Sequence, residues 1–296
     1  MISLYQFEFS HFCEKARWAL DYKGLAHLRK NLLPGLHMRV ARKLAPSSGL
    51  PILVDDGTVV QDSTSIITYL DEKYPGRLLT PRDPKEAKEA LAWEEYLDDE
   101  IGIPVRLWFY YHALPDRDCA LSFLLDGAPW YGRPLFALIY PNVRAAMTTL
   151  MNIRAETARQ SEERLVAAWD KLDDALKGRR FLVGDRFSRA DLTACALLRR
   201  HCAVASASGK IEPTVPAAVL ALRDAHKARP FVSWVREIYR SHRQPQLSGA
   251  RAGWAQRNCA DYLHPTGIAA SATLRSPMAS PTETSTNPIT RPTQKP

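Results

Sequence analysis

The chain has 296 residues, of which 46% are hydrophobic and 24% charged, proportions that are ordinary for a soluble globular protein. The formal charge of +8 is spread along the sequence without a long basic block interleaved with aromatic residues, which argues against a nucleic-acid partner. No apolar run reaches the roughly 18 residues that a bilayer crossing needs, so we expect no membrane span.

The five cysteines are scattered and show neither CxxC pairs nor metal-ligand spacing. An odd number of cysteines without a disulfide framework favours a reducing compartment. The N-terminus starts with a strand-like run, and we recognise no signal peptide in it. These features predict a cytoplasmic protein without a bound metal.

The first 75 residues alternate between strand and helix patterns. Residues 1–9 are strand-like, and apolar residues then recur at helical spacing up to Gly24, a typical C-terminal cap. A second strand is predicted at 26–33, followed by a short helix at 38–45.

A hairpin and a helix complete this unit. Two short apolar runs flank Asp56-Gly57, which is a strong hairpin signal. Ser63 then opens a helix as its expected N-cap, and Pro75-Gly76 stops it. The predicted order β-α-β-α-β-β-α defines a compact α/β unit.

The rest of the chain is predicted to be helical and then disordered. Residues 76–84 are rich in proline and polar residues and indicate a linker. From 85 to 244 apolar residues recur every three or four positions, which predicts an all-helical domain. The segment 245–296 is rich in Pro, Ser, Thr and Ala, and we expect it to be disordered.

Particular motifs stand at the joints of these elements. "SHFC" (10–13) follows the first strand, "LPIL" (50–53) opens the hairpin, and "QDSTSI" (61–66) joins the hairpin to the next helix. "FLVGDRFSRADLTACALL" (181–198) lies in the helical domain. In this order and spacing the motifs resemble those of the cytosolic glutathione transferases, over roughly residues 1–240.

The resemblance implies a fold and an activity. The fold is a thioredoxin-like α/β domain that binds glutathione (1–75) followed by an all-α helical bundle. The activity is detoxifying conjugation of the glutathione thiolate, as cosubstrate, to an apolar electrophile by a homodimer. It also implies a serine-type site with Ser10 as the catalytic residue and, as glutathione-binding residues, Phe12, Leu50, Pro51, Asp62 and Ser63.

The residue types of the first motif suit thiolate chemistry. A hydroxyl at Ser10 and the positive end of the following helix would both stabilise a thiolate. Cys13 occupies the second cysteine position of a CxxC and is either a buried small residue or a reactive thiol. Tyr5 and His11 are weaker candidates, since Tyr5 lies mid-strand and His11 is expected to be exposed.

Two basic residues of the first predicted helix have open roles. Lys15 and Arg17 either add positive charge near the site or serve the fold, Lys15 on a solvated helix face and Arg17 in an ion pair.

The motifs at 50–53 and 61–66 can each be interpreted as a ligand site or as a purely structural feature. A cis proline after Leu50 would present the backbone N–H and C=O of Leu50 to a peptide ligand, or would only form a turn. Asp62-Ser63 at a helix N-terminus suits an α-carboxylate and an α-ammonium, or is an ordinary cap. Asp62 is one methylene shorter than the family's glutamate.

One departure concerns the glycyl carboxylate of glutathione. The family's N-P-x-G-K-V-P is "APSSGLP" (45–51) here, without the asparagine and the lysine. The candidate replacements for the lysine are His37, Arg39, Arg42 and Lys43.

The helical domain contains two further features. The segment 103–143 is rich in aromatic residues and is interpreted as an apolar substrate pocket or as core and dimer-interface packing. Ser188 to Asp191 is a predicted capping box with a structural role.

Two alternative functions stay open. They are a noncatalytic glutathione- or protein-binding family member, and a thiol transferase or reductase that uses Cys13.

Overall fold

A four-stranded mixed sheet forms the N-terminal part of the computed structural model, which describes residues 1–128, 132–204 and 214–243. The strands are β1 (Ile2–Gln6), β2 (His27–Asn31), β3 (Ile52–Asp55) and β4 (Thr58–Gln61). Their order is β2-β1-β3-β4, with β1 parallel to β2 and the other pairs antiparallel. The expected disordered tail, 245–296, lies outside the described residues.

Local sequence signals account for the turns of this sheet. Asp56 and Gly57 both have positive φ, 48° and 91°, as a two-residue turn between twisted strands requires. Gly24 has φ of 70° and follows the first helix, so the predicted cap is confirmed. Leu4 and Leu53 are paired neighbours on the sheet and are completely buried.

Three helices accompany the sheet and a helical bundle follows it. The first three are α1 (His11–Tyr22), α2 (His37–Leu44) and α3 (Ser63–Lys73). No strand is found after Gln61 in the described part of the chain, which confirms the all-helical second half. Its helices are α4 (Pro84–Leu97), a π-helical turn (Asp98–Gly102), α5 (Ile103–Ala113), α6 (Arg117–Leu124), α7 (Gly132–Leu150), α8 (Ala155–Ala175), α9 (Arg189–Leu198), α10 (Ala217–His226) and α11 (Pro230–His242).

One hydrophobic core is shared by the sheet unit and the bundle. Trp18 of α1 is fully buried beside Phe187 and Tyr239, and its indole N–H donates to the carbonyl of His242. Burying a side chain of this size contributes about 2–3 kcal/mol. None of the helices in the described ranges is long and apolar enough to cross a membrane.

The start of α9 is fixed by the predicted capping box. The Asp191 carboxylate accepts the backbone N–H groups of Ser188 at 2.9 Å and of Leu182 at 2.8 Å. Burial raises the pKa of Asp191 to about 6, although these hydrogen bonds oppose the shift. Both N–H groups are buried and depend on this carboxylate for an acceptor.

We expect Asp191→Ala to lower the free energy of unfolding by about 3 kcal/mol, because it leaves two buried N–H donors without an acceptor. Urea denaturation at pH 8, where the carboxylate is ionised, measures the change. Asp185→Ala, at an exposed position of the preceding loop, is the control and should leave the midpoint unchanged. Equal midpoints for the two variants would contradict this role of Asp191.

Candidate functional site

One edge of the sheet brings the three N-terminal motifs together. Tyr5 of β1 pairs with Ile52 of β3, which pairs in turn with Gln61 of β4. The end of β1, the start of β3 and the end of β4 therefore lie side by side. The N–H of Asp62 also donates to the carbonyl of Pro51 at 3.2 Å. The loop leading to Ser10 begins at the same edge.

Ser10 is the N-cap of α1. Its backbone is extended, and its Oγ accepts the N–H of Cys13 at 3.3 Å. This contact uses an oxygen lone pair and does not occupy the hydroxyl hydrogen. The residue is half-buried at the positive end of a 12-residue helix, where a negative charge is stabilised.

Cys13 is not positioned as a reactive thiol. Its side chain is completely buried in the first turn of α1. Burial raises the pKa of the thiol, although Arg17 and the hydroxyl of Ser10 oppose the shift. A protonated, inaccessible thiol is a poor nucleophile.

His11 is less exposed than the sequence indicated. Its ring lies 4.5 Å from the ring of Phe12, and its buried Nε2 atom has no hydrogen-bond partner in the described part of the chain. Burial and the nearby Arg106 lower the pKa of His11 to about 3. The imidazole is therefore neutral at physiological pH, and the expectation of an exposed side chain was wrong.

Two other candidates of the first segment serve the fold. The Tyr5 hydroxyl accepts from Lys30 of the neighbouring strand at 3.0 Å, away from Ser10. Arg17 is buried and pairs with Glu14 at 2.9 Å, which confirms a structural ion pair.

The Leu50-Pro51 peptide bond is cis, and the backbone of Leu50 is unpaired. Within the described residues its N–H and C=O make no hydrogen bond. The loop before it is held from β4, because the Gln61 amide donates to the carbonyls of Ser47 at 3.0 Å and Gly49 at 2.7 Å. A fixed loop with a free N–H and C=O suits a short peptide that pairs as an added strand.

Asp62, rather than Ser63, caps α3. Asp62 has φ of 85°, and its Oδ1 accepts the N–H groups of Thr64 at 2.9 Å and Ser65 at 3.1 Å. The expected cap was therefore one residue too late, because Asp and Ser are both preferred N-cap residues and here the Asp62 carboxylate makes the capping hydrogen bonds. Ser63 is 1% exposed, and its hydroxyl has no partner in the described structure. An unpaired hydroxyl at a helix N-terminus suits an anion.

Phe12 contacts the helical bundle and not the sheet edge. Its ring packs against Gly102 of the π-helical turn, where a side chain in place of the glycine would come within 2.7 Å of the Phe12 ring. The Phe12 side chain thus faces the helical bundle, whereas Leu50, Asp62 and Ser63 lie at the sheet edge.

A buried ion network connects α1 and α3 to the bundle. Lys15 is fully buried and contacts Glu94 at 2.9 Å, Asp98 at 2.7 Å and the Thr64 hydroxyl at 3.2 Å. Arg189 of α9 pairs with Glu94 and donates to the Thr64 carbonyl at 3.0 Å. The structure excludes a solvated face for Lys15.

The two carboxylates of the network differ in their pKa values. Lys15 and Arg189 together hold the pKa of Glu94 below its usual range, although burial opposes them. Burial raises the pKa of Asp98, and contact with Lys15 offsets this only partly. Glu94, between two cations, is the more firmly ionised member.

A narrow cavity opens beside Ser10. It has a volume of about 60 Å³ and is lined mainly by α5 and the end of α9, including Arg106, Phe109, Tyr110, Leu197 and Arg200. The aromatic segment contributes only part of this wall, because Trp108, Phe136 and Tyr140 are buried in the core. Trp130 and Tyr131 lie outside the described residues.

A larger groove lies away from these motifs. Its volume is about 900 Å³, and its lining includes Tyr22, Arg77, Arg180 and His242. Neither Ser10 nor any of the predicted glutathione-binding residues lines it. We therefore place the candidate site at the sheet edge and the smaller cavity.

The candidates for the glycyl carboxylate all lie on α2. Burial lowers the pKa of His37 to about 4, so its ring, which contacts Phe7, carries no charge at neutral pH. Arg39, Arg42 and Lys43 are exposed. In the described ranges no group of three His, Cys, Asp or Glu side chains is arranged to hold a metal.

The fold and the sheet edge define a two-domain protein with a thioredoxin-like domain and a helical domain. Residues 4–78 match the model of the glutathione S-transferase N-terminal domain, and residues 135–217 match that of the C-terminal domain. The chain belongs to the glutathione S-transferase family.

Curated relatives agree with this assignment. A probable glutathione S-transferase from Nicotiana tabacum is 22% identical over 200 residues, which are 65% of this chain and 68% of that relative. Glutathione S-transferase Z1 from Arabidopsis thaliana is 41% identical over 143 residues, 42% of this chain and 65% of that relative. The chain thus spans about two thirds of the length of these relatives.

Solved structures share the fold. The beta-etherase LigF from Sphingobium superposes with a TM-score of 0.54 at 19% identity, covering 80% of this chain and 98% of that one. Rice GST1 in complex with glutathione has a TM-score of 0.53 at 17% identity, and the superposition covers 81% of this chain and 88% of that one. At these identities the likeness is one of fold alone.

We expect Glu94→Gln to lower the free energy of unfolding by about 3 kcal/mol, because it leaves buried Arg189 without its carboxylate partner and buried Lys15 with Asp98 alone. Urea denaturation measures the change. Glu163→Gln, which removes an exposed ion pair with Arg159, is the matched control and should leave the midpoint unchanged. An equally small effect of both substitutions would show that the buried network does not stabilise the fold.

We expect Cys13 to resist alkylation by iodoacetamide at pH 7.5 in the folded protein and to react in urea, because burial raises its thiol pKa and blocks access. Peptide mapping by mass spectrometry measures the modification. Ser10→Cys provides a thiol at the half-buried cap position and should be alkylated in the folded state. Rapid alkylation of Cys13 without urea would contradict the burial argument.

Proposed function

We propose that the protein is a glutathione S-transferase in which the Ser10 hydroxyl stabilises the glutathione thiolate for attack on an apolar electrophile. The observation that carries the proposal is the position of Ser10. Its Oγ accepts from the Cys13 N–H through a lone pair, and it caps α1 beside the narrow cavity, where its hydroxyl hydrogen would turn toward a bound thiolate.

Each part of glutathione has a counterpart at the sheet edge. The unpaired N–H and C=O of Leu50, before Pro51, suit the peptide backbone of the cysteinyl residue. The Ser63 hydroxyl and the N-terminus of α3 suit the α-carboxylate of the γ-glutamyl residue. Asp62 caps α3 with Oδ1 alone, so its Oδ2 is available for the α-ammonium.

The expected gain in thiolate can be stated as an energy. A free aliphatic thiol has a pKa of about 8.5 and is mostly protonated at pH 7. A hydrogen bond to a charged acceptor is worth about 1.5–3 kcal/mol, which corresponds to about one to two pKa units. Ser10, helped by the helix dipole, would therefore raise the thiolate fraction at neutral pH by roughly tenfold or more.

The alternative functions differ in what supports them. A reductase that uses Cys13 needs an accessible thiolate, and the burial of Cys13 speaks against it. The second alternative is a noncatalytic glutathione- or protein-binding member. The lack of the family's lysine before Leu50 weakens the case for tight binding of the glycyl carboxylate and so favours the protein-binding form of this alternative.

The assembly rests on the family resemblance, and the compartment rests on the odd number of scattered cysteines. We propose a homodimer in the cytoplasm.

We expect Ser10→Ala to lower kcat/KM for 1-chloro-2,4-dinitrobenzene by about 10- to 100-fold at pH 7, because the thiolate loses its donor. The midpoint of the pH–rate profile should rise by about one to two units. Cys13→Ser is the control and should stay within about twofold of the wild type. Unchanged kcat/KM in Ser10→Ala would sink the mechanism, and failure of the wild type both to turn over and to bind immobilised glutathione would sink the function.

A further inference from the structure

The cavity beside Ser10 is positively charged. Arg106, Arg199 and Arg200 line it, and no acidic side chain does so among the described residues. The only other titratable groups in its wall are Tyr110 and His11, which is neutral at physiological pH. A pocket for a purely apolar molecule has no need of guanidinium groups, which are costly to desolvate without a partner.

Two of the three arginines have partners within the protein. Arg199 is 9% exposed and donates to the carbonyl of Val204 at 3.5 Å. Arg200 lies 3.8 Å from the Asp126 carboxylate and over the ring of Phe123. Their positions are explained by these contacts.

Arg106 has no such partner. In the described residues its guanidinium makes no hydrogen bond and no ion pair, and its Nε atom is buried. Among the residues that the structure describes, the guanidinium contacts the face of the Phe12 ring, 5.8 Å from the ring centroid. Arginine is suited to carboxylates because its planar group donates two parallel hydrogen bonds.

The positive charge of Arg106 acts to lower the pKa values of two neighbouring side chains, Tyr110 and His11. Burial raises the pKa of Tyr110 to about 12, and Arg106 and Arg200 both oppose the rise. The same two arginines contribute to the lowered pKa of His11. The charge of Arg106 thus acts on the cavity that also contains Ser10.

We infer that the second substrate is an electrophile with an apolar body and a carboxylate group, and that Arg106 binds this carboxylate. The inference rests on the proposed transferase function and specifies its substrate class. The cavity of about 60 Å³ is far smaller than the roughly 300 Å³ of a typical small-molecule pocket, so it suits a small polar group rather than a whole aromatic substrate. Phe109 and Phe123 in its wall offer contacts for the adjoining apolar atoms.

Two matched aryl chlorides test the inference. They are 4-chloro-3-nitrobenzoate and its neutral amide, 4-chloro-3-nitrobenzamide. In both, the glutathione thiolate forms a carbon–sulfur bond at C4 and chloride leaves with the bonding electron pair. Each enzymatic kcat/KM is divided by the uncatalysed rate constant with glutathione, which removes the difference in intrinsic reactivity.

We expect the wild type to favour the benzoate over the benzamide, and Arg106→Gln to lower this preference at least tenfold, with Arg106→Lys intermediate. Arg186→Gln, at a 93% exposed position outside the cavity, is the control and should keep the wild-type preference. An equal loss for both substrates in Arg106→Gln would overturn the inference and assign Arg106 to glutathione or to the fold. A wild type without a preference for the benzoate would overturn it as well.

A binding measurement separates this inference from the transferase proposal. If the wild type accelerates neither reaction, the proposed function fails, and calorimetric titration with unreactive 3-nitrobenzoate and 3-nitrobenzamide decides the inference. Tighter binding of the benzoate that is lost in Arg106→Gln supports carboxylate recognition. Equal binding of the two compounds, or no binding, overturns it.

Discussion

The buried ion network of Lys15, Glu94, Asp98 and Arg189 is the constraint on which the arrangement of the site depends. An isolated charge inside a protein costs several kcal/mol, so each of these groups must meet a partner of opposite sign. The partners come from α1, from α4 and the following π-helical turn, and from α9. The sheet unit and the bundle therefore have few relative positions in which every charge is paired, and hydrophobic packing alone would restrict them less.

The network also reaches the two helix N-termini that face the candidate site. Lys15 lies five residues after Ser10 on α1, and Thr64 follows Ser63 at the start of α3. Thr64 takes part in the network through its hydroxyl and its carbonyl. The spacing between Ser10, the proposed thiolate donor, and the expected anion site on α3 is thus set by buried ionic contacts and not by exposed loops.

Much of the fold followed from short-range patterns in the sequence. The Asp56-Gly57 turn, the Gly24 cap and the Asp191 capping box each depend on a few adjacent residues, and each was predicted correctly. The shift of the α3 cap from Ser63 to Asp62 was missed, because Asp and Ser are both preferred N-cap residues and the sequence does not distinguish between two adjacent candidates.

The site was harder to predict because its charges meet across long stretches of sequence. Lys15 resembles a solvated helix residue until Glu94 and Asp98, some 80 positions away, are placed against it. His11 likewise looked exposed until α5 covered it. Arg106 stands in an aromatic segment whose pattern did not show which side chains face the cavity and which the core.

The positions of Ser10 and Arg106 address an electrostatic conflict in the proposed reaction. A thiolate and a carboxylate about 7 Å apart repel each other by about 2 kcal/mol at an effective dielectric constant of about 20, so an anionic electrophile would oppose thiolate formation. Arg106 offsets this repulsion because it adds a positive charge to the same cavity, and no carboxylate among the described lining residues compensates that charge. The N-terminus of α1 stabilises the thiolate independently through Ser10 and the helix dipole. In the proposed reaction, separate positive groups for the two anions would let the site favour the thiolate and bind a carboxylate at the same time.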